Sequence, residues 1–209
     1  IYFKNKKILI YGVGKSGIAC LNYLKKNNTC IIFDDNKKNI PTKYKYLLFN
    51  KKKKFDYIVL SPGINFKKCK LKKILKKNYN KIITDLDIFY YENIKNIKTT
   101  ITGTNGKSTT AKLLYDVLKK HKKDVRLIGN IGKPVLSVKR INKNTEFVIE
   151  ASSYQIAYSK FFKSNNAMIL NISPDHLERH GTIKNYVQSK FKLIKNQKKG
   201  SLSFIEKQS

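Results

Sequence analysis

A short, mostly apolar run, 7–11, and a second strand-like run, 97–102, each break into a glycine-bearing turn and then into a helical pattern. That unit, written twice, constrains the fold more than any other feature of these 209 residues. A strand that is apolar almost throughout must be buried on both faces, which is the condition of a parallel sheet covered by helices. The rest of the chain keeps the alternation. After the turn at 12–17, residues 18–26 read as a helix with Ala19, Leu21 and Leu24 on its apolar side. A strand follows at 29–33, closed by Asp34, Asp35 and Asn36, and another at 56–60, stopped by Ser61, Pro62 and Gly63. Residues 71–77 read as a helix, 81–84 as a short strand, and 85–91 as a helix with Asp85 near its N-cap.

A polar stretch, 92–96, then marks a domain boundary, giving a first domain over 1–95 and a second over 96–209. The pattern restarts with the strand 97–102, the turn 103–106 and a helix over 107–120. Strands follow at 147–149, ending in Glu150, and at 167–170, ending in Asn171. A helix over 183–194 and a strand-like run beginning at 200–209 complete the chain. The expected fold class is α/β: a Rossmann-like N-terminal parallel sheet followed by a phosphate-loop-type parallel α/β central domain that is cut short. Ligands in such sheets sit beyond the carboxyl ends of the strands. Gly12, Asp34, Ser61, Gly103, Glu150 and Asn171 all fall there.

Composition excludes several classes. Hydrophobic residues make up 41% of the chain, as in globular proteins. No apolar run approaches the roughly 20 residues of a membrane span, so no membrane insertion is expected. The chain does not begin with Met, which gives the expectation that a few residues precede it. The three cysteines are scattered, with no CxxC pair, which argues against a disulfide framework and for a reducing, cytoplasmic setting. The net charge of +32 is nearly all lysine, with only Arg126, Arg140 and Arg179 as arginines. Nucleic-acid readers rely on arginine for bidentate contacts, and these lysines are spread along the chain. The charge is therefore read as compositional, with no nucleic-acid partner, although it can attract an anionic nucleotide.

Two motifs carry chemistry. Thr102 to Thr109 reads TGTNGKST, after a strand and opening a helix. Glycines let backbone N–H groups turn around phosphate oxygens, and the helix N-terminus adds partial positive charge. Lys107 suits the β- and γ-phosphates, and the Ser108 hydroxyl suits Mg²⁺. Position 101 is Ile, so the first glycine of the usual GxxxxGK[ST] pattern is absent. The second motif, GVGKSG at 12–17 with Asp34 and Asp35 about 20 residues on, fits a nucleotide-binding turn, and by itself is also compatible with a dinucleotide fold. Glu150 and His176, at or beyond strand ends, are of types that hold Mg²⁺ or position a substrate.

The runs ITGTNGKSTT (101–110), GNIGKP (129–134), EASSYQ (150–155) and ILNISPDHLERHGT (169–182) resemble the Mur ligases, which build the peptide stem of peptidoglycan. GVGKSG, FDD (33–35), SPGI (61–64) and TDLDIF (84–89) are similar to the branch of that family that adds D-glutamate to UDP-N-acetylmuramoyl-L-alanine. The resemblance implies an ATP-dependent ligase working through an acyl phosphate, with ATP and Mg²⁺, as a monomer. It implies that Gly103, Thr104, Asn105, Gly106, Lys107, Ser108 and Thr109 bind ATP. It places Gly14, Ser16, Gly17, Asp34, Asp35, Gly63, Asn130 and His176 at the substrates, and gives the Lys15 side chain no role. Ser108, Glu150, His176 and a carbamylated Lys190 become metal ligands, with Lys107, His176 and Lys190 as the catalytic set. It also implies that a third domain is absent and that these 209 residues alone do not turn over. Other readings of the same residues are a related Mur or folate polyglutamate ligase, an NAD-dependent oxidoreductase built on GVGKSG, and a nucleic-acid-binding protein.

Overall fold

The computed structural model describes residues 2–50 and 54–206, so the last three residues of the run expected at 200–209 lie outside it. The chain forms two compact units: the described residues of 1–92 with 135–137 and 158–160, and those of 93–134, 138–157 and 161–209.

The first unit runs β1 (Lys7–Tyr11), α1 (Lys15–Leu24), β2 (Thr29–Phe33), β3 (Tyr57–Leu60), α2 (Lys72–Lys77), β4 (Ile82–Ile83) and α3 (Asp85–Glu92). Its sheet has the order β2-β1-β3-β4, with every pair parallel. Strand β1 is central, and Ile8, Leu9, Ile10 and Tyr11 are fully buried, as its unbroken apolar run requires. Leu9, Tyr11, Ile31, Ile58, Leu60 and Leu75 form the core on one face. The chain leaves β1 for β2 on one side and reaches β3 on the other, so the crevice at the carboxyl ends of β1 and β3 is a topological switch point.

Helix α1 begins three residues earlier than its periodicity predicts, because Ser16 and Gly17 belong to its first turn. Gly17 lies against the Gly12 carbonyl: a Cβ there would stand 1.8 Å from that oxygen. The residue that looks like part of a loop is a helical glycine selected by close approach.

The second unit runs β5 (Lys98–Thr102), α4 (Lys107–Lys120), β6 (Val125–Gly129), β7 (Glu146–Glu150), α5 (Ser153–Tyr158), β8 (Asn166–Ile169), α6 (Leu177–His180), α7 (Ile183–Lys195) and β9 (Leu202–Ile205). Its sheet order is β6-β7-β5-β8-β9, again parallel throughout. The central strand β5 is buried at every position and feeds the phosphate-loop turn. Helix α4 covers the sheet through Ala111, with Leu114, Tyr115 and Leu118 packed on Ile101, Val125 and Val148. Strand β6 and helices α5 and α6 add to the elements expected from sequence.

Candidate active site

The turn between β5 and α4 sits at the carboxyl end of the central strand. Gly106 caps α4 with φ +78, a left-handed conformation that glycine adopts without strain. The first N–H groups of α4 have no intrahelical acceptor by position, so they point out of the helix end. The Lys107 ammonium donates to the Thr104 carbonyl at 2.7 Å, folding over the loop. Behind it, the Ser108 hydroxyl donates to Glu150 Oε2 at 2.7 Å.

Glu150 reaches that position because β7 lies directly beside β5 and ends one residue past the Thr100–Ile149 pair. Asn130 comes from the neighbouring strand end. Its N–H donates to the Glu150 carbonyl at 2.9 Å and its side-chain amide to Glu150 Oε1 at 3.1 Å. Gly129 makes this approach possible, since a Cβ there would lie 2.2 Å from the Glu150 carbonyl oxygen. Glu150 is 1% exposed and, among the described residues, forms no ion pair. A buried carboxylate whose side-chain partners are a neutral hydroxyl and amide lacks a counter-charge. Oxygen donors from a hydroxyl and a carboxylate are what Mg²⁺ takes. Ser108 and Glu150 therefore fit a magnesium ion.

Lys190 approaches the loop from below. Helix α7 is capped by Thr182, whose hydroxyl accepts from the Asn185 N–H at 3.1 Å. Tyr186, Ser189, Lys190 and Leu193 form its buried stripe, so Lys190 occupies a position where helical spacing calls for an apolar residue. Its ammonium donates to the Gly103 carbonyl at 2.7 Å and lies 3.5 Å from the Thr102 hydroxyl. Burial first, and then the charge of Lys107, pushes its pKa down to about 7, with Asp175 opposing.

His176 is placed differently. It caps α6 with φ +54, and its imidazole, about half exposed, pairs with Asp175 at 3.3 Å and stands 5.1 Å from the Tyr154 ring. Among the described residues no hydrogen bond or ion pair joins it to Glu150 or Ser108, and no group of three or more His, Cys, Asp or Glu could hold a metal. The segment that carries it does touch the phosphate loop: Ser173 N–H donates to the Thr104 hydroxyl at 3.0 Å, and Tyr186 shares a 3.0 Å hydrogen bond with the same hydroxyl. His180 lies 3.0 Å from the Ser153 hydroxyl and stacks on Tyr154, and burial, then Arg179, His176 and Lys190, lower its pKa.

In the first unit, the candidate substrate residues gather at the ends of β1, β2 and β3. Gly14 caps α1, Ser16 and Gly17 lie in its first turn, and the Ser61 hydroxyl donates to the Gly12 carbonyl at 2.7 Å, holding the 61–63 turn against the glycines. Space beyond Gly14 and Gly63 is open. The two aspartates are engaged by the protein itself. Asp34 is buried and accepts from Val13 N–H at 2.8 Å, Asn36 N–H at 2.9 Å and the Asn39 amide at 3.1 Å. Asp35 accepts from the Tyr11 hydroxyl at 2.5 Å and from Lys70 N–H at 3.2 Å. Burial and that bond to Asp35 raise the Tyr11 hydroxyl well above the usual phenol range.

One residue next to the loop had no assigned role in the sequence reading. The Asn171 side chain accepts from Thr104 N–H at 3.1 Å and Asn105 N–H at 2.8 Å, and donates to the Asn105 carbonyl at 3.2 Å. Its signal is a polar residue directly after an apolar strand, but its partners appear only once β8 is known to pair with β5.

Residues 101–208 match the Mur ligase middle domain and residues 6–83 the MurD-like N-terminal domain. A curated relative in Wolbachia pipientis wMel, named UDP-N-acetylmuramoylalanine--D-glutamate ligase, is 35% identical over 202 residues, covering 92% of this chain and 39% of that protein. A relative of the same name in Rickettsia prowazekii is 37% identical, covering 97% of this chain and 47% of its own length. The chain thus spans less than half the length of these relatives. The crystal structure of UDP-N-acetylmuramate:L-alanyl-gamma-D-glutamyl-meso-diaminopimelate ligase from Neisseria meningitides is 15% identical and shares the fold, with a TM-score of 0.58 over 98% of this chain and 72% of that one. With a family domain matched across more than half of its length, the chain belongs to the Mur ligase family.

Proposed function

We propose that this chain carries the UDP-sugar-binding and ATP-binding units of an amide-bond ligase that joins D-glutamate to UDP-N-acetylmuramoyl-L-alanine in peptidoglycan synthesis. Residues 1–95 take the UDP end of the substrate, through Gly14, Ser16, Gly17 and Gly63, and residues 96–209 take ATP. In this reading the enzyme works as a cytoplasmic monomer. The observation that carries it is the Ser108–Glu150 contact behind the glycine loop. A phosphate loop alone binds a nucleotide, whereas a hydroxyl paired with a buried strand-end carboxylate adds a place for the cation that phosphoryl transfer uses.

The chemistry follows from charge. The substrate carboxylate attacks the γ-phosphorus of ATP, forming a C–O–P acyl phosphate and releasing ADP. The amine of D-glutamate then attacks the activated carbonyl, and collapse expels phosphate and leaves the amide. Lys107 releases the Thr104 carbonyl and neutralises the outer phosphates, and the N–H groups at the start of α4 hold their oxygens. Ser108 and Glu150, and in this reading His176, would hold Mg²⁺, which would supply positive charge to the transferring phosphoryl group. Asn130 fixes the Glu150 carboxylate and, with His176, faces the substrate. Lys190, with a pKa near 7, is largely neutral at slightly alkaline pH. Its amine can attack CO₂, form an N–C bond and lose a proton, giving a carbamate whose oxygens also suit a hard cation.

Equilibrium binding tests the reading. The chain is expected to bind MgATP and UDP-N-acetylmuramoyl-L-alanine, with no need for NAD. Lys107→Ala is expected to weaken MgATP by about 10- to 100-fold, the worth of a charge-assisted contact, and to leave the UDP-sugar affinity unchanged. A folded chain that binds neither ligand overturns the proposal. ¹³C-bicarbonate should give a carbamate resonance that Lys190→Met removes.

A further inference from the structure

We propose that Asn171 is a positioning residue for the phosphate loop, reserving the N–H groups of its first half for the protein and leaving those of its second half to face phosphate. The inference rests on the nucleotide-site reading above.

A phosphate loop works by aiming successive backbone N–H groups at the anion. Here two of them are already used. Asn171 Oδ1 accepts from both Thr104 and Asn105, and its Nδ2 returns a bond to the Asn105 carbonyl. The Thr104 N–H is shared, since it also donates to the Asn171 backbone carbonyl at 2.9 Å. The Thr104 hydroxyl is occupied in turn by Ser173 and Tyr186. The first half of the loop is therefore built into the end of β8. The first regular bond of α4, Thr110 N–H to the Gly106 carbonyl, begins beyond the N–H groups of 107–109. Those are the groups left for a ligand.

The residue type matters as much as its place. A side chain that accepts two N–H groups at one atom and donates to a carbonyl from another is, at neutral pH, an amide. An aspartate offers the same acceptor oxygen, but loses the donor and sets a negative charge beside a polyanion. Asn171 thus holds the turn without repelling what the turn is meant to bind.

Residue-resolved amide exchange, with nucleotide affinity measured in parallel, tests this on the wild-type chain, Asn171→Ala and Asn171→Asp. Without nucleotide, Asn171→Ala should speed exchange at Asn105 by about tenfold, roughly one hydrogen bond. Thr104, still tied to the residue 171 carbonyl, should change less. Asn171→Asp should keep Asn105 protected, yet weaken MgATP more than the alanine variant does. In the wild type, MgATP should add protection at 107–109 and none at Asn105. Unchanged Asn105 exchange in Asn171→Ala, or protection gained there on binding MgATP, overturns the assignment. So does equal loss of MgATP affinity in the two variants, which marks a merely structural role. Should the alanine variant not fold, loss of Asn105 protection in Asn171→Asp overturns it. If the wild type binds no nucleotide, the nucleotide reading falls, and the ligand-free exchange at Asn105 still decides the role of Asn171.

Discussion

The two strand-to-helix turns of this protein are built on one plan and with opposite electrostatics. In each, a central parallel strand ends in a glycine turn, and a polar side chain from the end of an adjacent strand ties the turn down. In the first unit that side chain is Asp34, bonded to Val13 N–H. In the second it is Asn171, bonded to Thr104 and Asn105 N–H. The first turn thus keeps a buried carboxylate, and the second a neutral amide with Lys190 beneath it. The difference teaches that a glycine turn does not define its ligand. Beside a turn held by a carboxylate, a diphosphate relies on the N–H groups of the helix start alone, whereas a turn held by an amide over a lysine receives a triphosphate without that opposing charge.

The glycines differ in the same way, and this gives the largest expected effect. Gly17 is required by space, since a Cβ would meet backbone at 1.8 Å. Gly17→Ala should destabilise the first unit by about 3 kcal/mol or more, because backbone cannot yield as a side chain can. Chemical denaturation followed through probes in that unit measures it. A loss below about 1 kcal/mol would mean that the close approach at Gly12 is not what sets this turn.

Removing the carboxylate comes next. Asp34→Ala leaves the N–H groups of Val13 and Asn36 without their acceptor and should cost about 2–3 kcal/mol, with Asp34→Asn retaining part of that. Equal stability of the alanine variant and the wild type would break the parallel between Asp34 and Asn171. Smaller again is Gly106→Ala. Its φ of +78 is unfavourable for alanine, but the nearest atom is a Leu170 side-chain carbon at 3.6 Å, so only the conformational cost of about 1–2 kcal/mol applies. A loss as large as that at Gly17 would show that space governs the second turn as well.

Much of this is legible in the sequence. The span of α4 matches the sequence reading residue for residue, because Gly106 and Lys107 mark its start and its apolar residues keep helical spacing. Ser108 and Glu150 both stand out in the sequence, since each opens or ends an element at the same rim of a parallel sheet. Other features were hidden for physical reasons. Strand β6 is an edge strand with Arg126 and Leu127 only partly buried, so it lacks the unbroken apolar run of β1. Helix α6 has four residues, about one turn, too few for a period to register. The engagement of Asp34 and the partners of Asn171 depend on which strands lie side by side, and strand order is not written in local pattern.

Per pH unit, the smallest effect concerns the lysine under the second turn. Lys190 and Lys98 are both 1% exposed, yet they are satisfied differently. Lys98 donates to the carbonyls of Asn93, Ile94 and Asn96, and burial, then Lys198, pushes its pKa down to about 8. Lys190 has one close carbonyl, the Lys107 charge nearby, and a pKa of about 7. Both values lie below the ordinary 10.5, so from about 7 upward the unfolded chain binds more protons than the folded one. Stability contributed by Lys190 should therefore rise with pH, with a ceiling of about 1.4 kcal/mol per unit for one proton. The clean window is pH 7 to 8.5, below the ordinary thiol value of 9.0 at which the buried Cys20 and Cys30 begin to act in the opposite sense. Across it, the stability of the wild type minus that of Lys190→Met should climb, and the climb should begin at lower pH than for Lys98→Met. A flat difference for Lys190→Met would mean that Lys190 keeps its proton under the loop. The second turn would then hold a fixed cation, and its contrast with Asp34 would be one of permanent charge instead of a poised amine.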